Sequence, residues 1–267
     1  MPQIIDDKSE HCIPFILERV SAHREKYTAA SKDVPPFFLG LNGVQGAGKT
    51  TLVEPARAAP RQPSTHDIPL GTTLFAALRN RESNIKIPSY DKSAFSGQGD
   101  RADESLWHVV NTDASKKIEV VVFEGWCVGF RALSDEQLRQ KWEQAKEAAA
   151  RSDYDGQLGR LEFESVKFVN KALERYDALT DQLNAFIHID AENTQYVYNW
   201  RLEQEAVMRA TKGTGMTDQQ VVNFVNGYYP AYELYTDVLR SGIYDEPGKQ
   251  MRLVVGMNRK VKEVHTI

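Results

Sequence analysis

Short apolar runs alternate along the chain with longer stretches whose apolar residues return every three or four positions. Phe37–Leu41, introduced by Pro35 and Pro36, is bounded by turn residues and predicts a buried strand. Ile118–Phe123 is the clearest strand, β-branched and aromatic, too short for a helix and ending at Glu124. Ala185–Ile189, ending at Asp190, and Met251–Val255, read as the last strand, are of the same kind. Ile85–Tyr90, broken at Pro88, reads as a strand or extended segment.

The helical rhythm starts with Ile13, Ile16, Leu17 and Val20, an opening amphipathic helix that ends before Thr28–Asp33. A helix is expected to begin near Lys49 but is cut short by Pro55 and Pro60, leaving Arg57–Thr65 as a polar loop. A short helix follows at Thr72–Arg81. Ser134–Ala150 lines up Leu138, Trp142, Ala145 and Ala149, with Ser134 and Gln137 as a capping box. One long helix is expected over Leu161–Leu183, with Val166, Val169, Leu173, Tyr176 and Leu183 on one stripe. Another runs from about Glu192 to Ala210, followed by the loop Thr211–Gly215. The last opens on a second capping box, Thr217 with Gln220, is kinked by Pro230 and stops at Gly242. Apolar strands alternating with long helices predict an α/β fold, a parallel sheet with helices on both faces.

Composition narrows the class. The 267 residues are 41% hydrophobic, enough for a sizeable core, and no apolar run reaches the length of a membrane span. A net charge of −4 speaks against nucleic acid or a membrane surface as partner. Two cysteines, Cys12 and Cys127, stand in no metal or disulfide spacing, and the N-terminus carries no secretory pattern, so the cytoplasm is the expected compartment.

The chemistry is concentrated after the first strand. Gly43, Val44, Gln45, Gly46, Ala47, Gly48, Lys49, Thr50 and Thr51 match G-x-x-x-x-G-K-[ST] in full. Glycines there let successive backbone N–H groups turn inward onto phosphate oxygens, and the following helix adds its positive end. Lys49 is expected to reach the β- and γ-phosphates of ATP, and Thr50 to ligate Mg²⁺. Glu124, at the end of an apolar strand, is the expected second metal group, although a strand-end acid by itself often only faces solvent. Arg201 and Arg209 lie eight residues apart on one predicted helix. They could close over a transferring phosphoryl group, or belong with Glu203 and Glu205 to a solvated face.

With these pieces in order the chain resembles the glycerate kinase branch of the phosphoribulokinase/uridine kinase superfamily, plant-type D-glycerate 3-kinases and related fungal ATP-binding proteins. GVQGAGKTTLV, STHDIPLG, PSYDKSAFSGQGDRAD, VVVFEGWCVGFR, IHIDAENTQYVYNWRLEQEAVMRA, GMTDQQVVNFVNGYYPAYELY and LVVGMNRKVKEV carry the likeness. It implies a single kinase domain over 1–267. Residues 34–130 would form its nucleotide and acceptor core, 131–184 a helical insert, and 185–267 a lid helix, the C-terminal helix and the last strand. It makes Lys49, Glu124, Arg201 and Arg209 the catalytic set and Arg201 and Arg209 part of the lid. It also places Asp67, Tyr90, Asp91, Lys92, Ser93 and Arg101 near the acceptor, where Lys92 and Arg101 suit an anionic hydroxy acid such as glycerate. Trp126, Tyr228, Tyr229, Tyr232 and Tyr235 read as core.

One departure stands out. The superfamily has a second strand ending in an acidic Asp-Asp-Phe-Tyr-like segment whose aspartate is the expected base. Here Val53 leads through Glu54-Pro55 almost directly to Ser64-Thr-His-Asp67, with no apolar run or acidic pair between. The expected function is therefore an ATP-dependent kinase of a small hydroxy acid, impaired by a missing segment. A uridine-kinase-like enzyme and a non-catalytic ATP-binding protein are the alternatives.

Overall fold

The computed structural model describes residues 7–47, 49, 66–91, 100–151, 154–213 and 215–267. In chain order its first half holds α1 (Ser9–Ala29), β1 (Phe37–Gly43), α2 (Ile68–Arg79), β2 (Ile85–Ile87), β3 (Tyr90–Asp91), β4 (Asp100–Arg101), β5 (His108–Val110) and β6 (Val120–Gly125). The second half holds α3 (Asp135–Ala149), α4 (Phe163–Leu173), α5 (Asp177–Thr180), β7 (Ala185–Ala191), α6 (Tyr196–Lys212), α7 (Asp218–Ser241), β8 (Gln250–Val255) and β9 (Val261–Thr266).

Five strands form the main sheet in the order β6-β1-β7-β8-β9. Every residue of β1 and of β7 is buried, as strands covered on both faces require. β1, β6, β7 and β8 run parallel, and β9 returns antiparallel to β8. The sheet is thus mixed, and Met251–Val255 is not its last strand. β9 escapes a sequence reading because nearly all of its residues are exposed, so no apolar run marks it.

Alternation along the strands sends side chains to opposite layers. Phe37 packs edge-on to His23 of α1 at 5.4 Å, whereas Phe38 meets Phe75 of α2 at 4.9 Å. Asp190, on β7, is almost wholly buried and accepts from Arg240 Nε of α7 at 2.8 Å and from Arg252 Nε of β8 at 2.8 Å. Burial would raise its carboxyl, but the two guanidiniums outweigh that and hold it below the usual range.

Several helices depart from expectation. The buried residues of α1 are Cys12, Phe15 and His23, while Ile13 and Leu17 of the expected stripe are exposed. α2 begins four residues early because Asp67 caps it, its side chain accepting from Leu70 N at 3.1 Å. The expected single helix Leu161–Leu183 is divided, with a 3₁₀ turn at Glu174–Tyr176 between α4 and α5. That turn buries Tyr176 and puts its hydroxyl 2.7 Å from His66 Nδ1, near the start of α2. α6 starts at Tyr196, later than Glu192, and runs to Lys212, where Gly213 takes a left-handed φ of 70°. Both capping boxes, Ser134/Gln137 and Thr217/Gln220, are present, and Gly242 ends α7. Pro230 lies inside α7. The short helix expected from Lys49 lies outside the described residues.

Of Ile85–Tyr90, β2 pairs antiparallel with β5, an element that no apolar run announces, and Tyr90 opens the separate β3 after the break at Pro88. β6 begins at Val120, two residues later than expected. It is the outermost strand of the described sheet on its side, and its Val120 and Val122 stand 40% and 38% exposed. Among the described residues no helix is long and apolar enough to cross a membrane.

Candidate active site

The end of β1 turns into the glycine-rich loop. Gly46 takes φ +89°, and a Cβ there would lie 2.5 Å from Trp200 Cβ, so any side chain would collide with α6. Ala47 N donates to Val44 O at 3.2 Å and tightens the turn. Lys49, buried, folds back over the loop, its Nζ donating to Gly43 O at 2.6 Å and Val44 O at 3.2 Å. Burial lowers its ammonium to about 8, against the opposing pull of Glu124 and Cys127. Glu124 sits half-buried near the end of β6, in register with Leu41 of β1. Cys127, three residues on, is pushed up to about 12 by burial and stays a thiol. Glu124 is thus near enough to Lys49 to act on its charge, although no hydrogen bond or ion pair joins the two.

Four residues that the motif does not name hold this corner. Asn42, a polar residue inside a buried strand, donates its amide to Trp126 O at 3.1 Å and Val128 O at 2.7 Å, tying the loop strand to the turn after β6. Tyr232 Oη accepts from Gln45 N at 3.2 Å. Arg259 Nε donates to Gly46 O at 2.8 Å, and its guanidinium lies 5.3 Å from the Trp200 ring centre. Trp200 is fixed by its own Nε1–H to Met257 O at 2.8 Å. Only Asn42 carried a readable signal, as a lone amide in an apolar run. The other three depend on contacts between distant parts of the chain.

Of the acceptor candidates, Asp67 and Arg101 come together in an ion pair at 2.8 Å. The hydrogen bond from Arg101, followed by that from Leu70 N, holds the Asp67 carboxyl below its usual range, which suits it poorly to taking a proton. Tyr90 and Asp91 form β3 and pair with Asp100 and Arg101 of β4, so these four share one small ribbon. Gly48, Thr50, Thr51, Lys92 and Ser93 lie outside the described residues, as does the stretch from Val53 to Thr65.

The two arginines expected in a lid go different ways. Arg201 pairs with the buried Glu205 at 3.4 Å and lies over the Phe224 ring at 5.4 Å. Arg209 pairs with Asp218 at 2.8 Å and donates to Met216 O, which fastens it to the start of α7. They do not form one cationic clamp in this conformation.

A mostly parallel sheet with an inner strand, β1, that opens into a glycine-rich loop, and with a buried lysine on which a strand-end acid acts, defines an α/β fold of the P-loop kinase type. No protein-family model matches the chain. The mug58 protein of Schizosaccharomyces pombe, described as an uncharacterized kinase, is 30% identical over 269 positions, covering 86% of this chain and 91% of the relative. The chloroplastic D-glycerate 3-kinase of Arabidopsis thaliana is 31% identical over 83% of this chain, which spans 52% of that enzyme. Among solved structures, the D-glycerate 3-kinase of Cryptococcus neoformans superposes with a TM-score of 0.80 at 27% identity, covering 98% of this chain and 100% of that one. The chain belongs to the glycerate kinase branch of the P-loop kinases.

Lys49 gives the site a pH signature. Its folded pKa of about 8 lies below the ordinary 10.5, so between these values the unfolded chain binds more protons and stability rises with pH. The urea midpoint of the parent chain, compared with that of Lys49→Met, is expected to climb from about pH 8 to 10.5. A difference that stays flat across that window would show the ammonium to be solvated.

Proposed function

We propose that the chain is an ATP-dependent phosphotransferase that moves the γ-phosphoryl group of ATP to a hydroxyl of a small hydroxy acid, D-glycerate foremost. The observation that carries this reading is Lys49, buried against the loop carbonyls with Glu124 acting on it, in a member of the glycerate kinase branch. Gly43 to Thr51 would take the nucleotide phosphates, with Lys49 leaving the carbonyls for the β- and γ-phosphates. The acceptor oxygen would bond to the γ-phosphorus as its bond to the bridging oxygen breaks. ADP would leave, and the hydroxyl proton would pass to a carboxylate.

Magnesium, bound with the nucleotide, would neutralise developing phosphate charge. Glu124 fits that ion, since magnesium is usually held by one or two carboxylates together with phosphates and water. Among the described residues there is no group of three or more His, Cys, Asp or Glu able to hold a metal without the nucleotide. Thr50 would be the second protein ligand. Asp67, Tyr90, Asp91, Lys92, Ser93 and Arg101 would face the acceptor side, with the Asp67–Arg101 pair as a fixed element of its wall. Arg201 acts on Tyr228 and Tyr232 of α7 and would bring its charge to the acceptor side. Arg209 would hold the lid helix to α7.

ADP release measured against D-glycerate, uridine, pantothenate and no acceptor tests the reading. D-Glycerate alone should raise turnover, and Lys49→Ala should lower it by a barrier of about 2–4 kcal/mol. Turnover on uridine without D-glycerate would move the chain to nucleoside kinases. Binding of Mg·ATP without any acceptor-dependent release would make it a non-catalytic nucleotide-binding protein.

We also propose that a segment carrying the second strand and the acceptor base is missing after Val53. Two observations support this. The match to the fission-yeast kinase runs over 269 positions but takes in only 86% of a 267-residue chain, so the relative has residues in the matched region without counterparts here. The outer edge of β6 also has no neighbouring strand among the described residues, with Val120 and Val122 exposed. Restoring a strand and its aspartate, on the order of a few dozen residues with connections, should raise both glycerate-dependent turnover and melting temperature. Equal turnover and equal melting in the two chains would show that nothing needed is absent.

A further inference from the structure

Half of the buried, unpartnered polar side-chain atoms in the described structure gather at one place. Trp126 Nε1, Tyr228 Oη, Gln45 Nε2 and Arg201 Nε are closed from solvent and make no hydrogen bond. The residues are neighbours. The Trp126 ring lies 5.5 Å from Tyr228 and 5.6 Å from Tyr232, whose hydroxyl accepts from Gln45 N. Phe224, which stacks 5.4 Å from Tyr228, lies under the Arg201 guanidinium. Trp126 is two residues past Glu124, so the cluster adjoins the Lys49–Glu124 corner.

An indole N–H only donates, an amide NH₂ and a guanidinium Nε–H only donate, and a phenol can donate. Leaving such groups buried and unpaired is costly, and folded proteins hold few of them. Tyr228 and Trp126 are 4% and 6% exposed, so neither is a surface group that happens to lack a neighbour. Arg201 already meets Glu205 through Nη2 at 3.4 Å, but its Nε–H is unspent, and a set of free donors beside a guanidinium matches a species that only accepts. A carboxylate has that chemistry.

We propose that Trp126, Tyr228, Gln45 and Arg201 form the subsite that takes the carboxylate of the acceptor, leaving its hydroxyl toward Glu124 and the transferred phosphoryl group. This rests on the reading of the chain as a hydroxy-acid kinase and says which residues select the acid. Trp126 and Tyr228 are core residues, as the sequence reads them, and the proposal gives them a second role and offers an alternative to Lys92 and Arg101 as partners of the carboxylate. The subsite rejects glycerol, which has the hydroxyls but not the anion.

The test follows the indole N–H resonances of the chain's 4 tryptophans by NMR with Mg·ADP present, Trp126 being assigned by its loss in Trp126→Phe. D-Glycerate should shift the Trp126 indole N–H, and glycerol should not. Tyr228→Phe should weaken D-glycerate binding about tenfold with Mg·ADP affinity unchanged. Because its hydroxyl is unpaired in the free chain, the variant should melt no lower than the parent. If D-glycerate binds while the Trp126 signal stays still, or if Tyr228→Phe melts lower and binds D-glycerate as well as the parent, the subsite is elsewhere and the kinase reading stands. If D-glycerate does not bind at all while uridine does, the hydroxy-acid reading falls and the subsite falls with it.

Discussion

A lysine ammonium held out of water by two backbone carbonyls is the constraint on which this structure turns. Lys49 is buried at the end of β1 and donates to Gly43 and Val44. Taking an ammonium from water is expensive, and burial lowers it to about 8 although Glu124 and Cys127 pull the other way. An anion arriving in the loop would meet a charge that is close, fixed and poorly solvated. The surrounding contacts keep it so. Trp200 fills the space beside Gly46, Arg259 holds the Gly46 carbonyl, Tyr232 receives the Gln45 N–H, and Asn42 binds β1 to the turn after β6.

These braces come from α6, α7 and the β8–β9 connection, which lie far along the chain from the loop. The sheet order explains how they meet, since β1 sits between β6 and β7 with β8 beyond. The C-terminal ends of parallel strands thus collect the loop, the Glu124 turn and the start of α6 at one edge, where ligands of open α/β sheets bind. Asp190 stabilises the neighbouring part of the sheet by joining β7, β8 and α7 through one buried carboxylate.

Much of this was legible from the chain alone. β1, β6, β7 and β8 were marked by apolar runs, the two long capped helices by Ser134/Gln137 and Thr217/Gln220, and the loop by its glycines and Lys49. What failed to show were elements specified by partners. β9 and β5 are exposed strands fixed by pairing with β8 and β2, and the break at Glu174–Tyr176 is set by the packing of Tyr176 beside His66. The α1 stripe misled because Ile13 and Leu17 share the helical period with Cys12 and Phe15 but face outward. In the site, a motif names the groups that touch phosphate. It does not name Arg259 or Trp200, which only hold the loop in shape. Nor does periodicity distinguish a tyrosine that fills the core from one that also keeps a hydroxyl unspent.

The account requires that Lys49 exchange its carbonyl partners for phosphate oxygens when nucleotide arrives. A crystal structure of the chain with magnesium and a non-hydrolysable ATP analogue measures this directly. Lys49 Nζ should lie within hydrogen-bond reach of the β- and γ-phosphate oxygens, clear of Gly43 O and Val44 O, with Gly46 still seated against Trp200. A nucleotide bound elsewhere, with Nζ still on the two carbonyls, would contradict it.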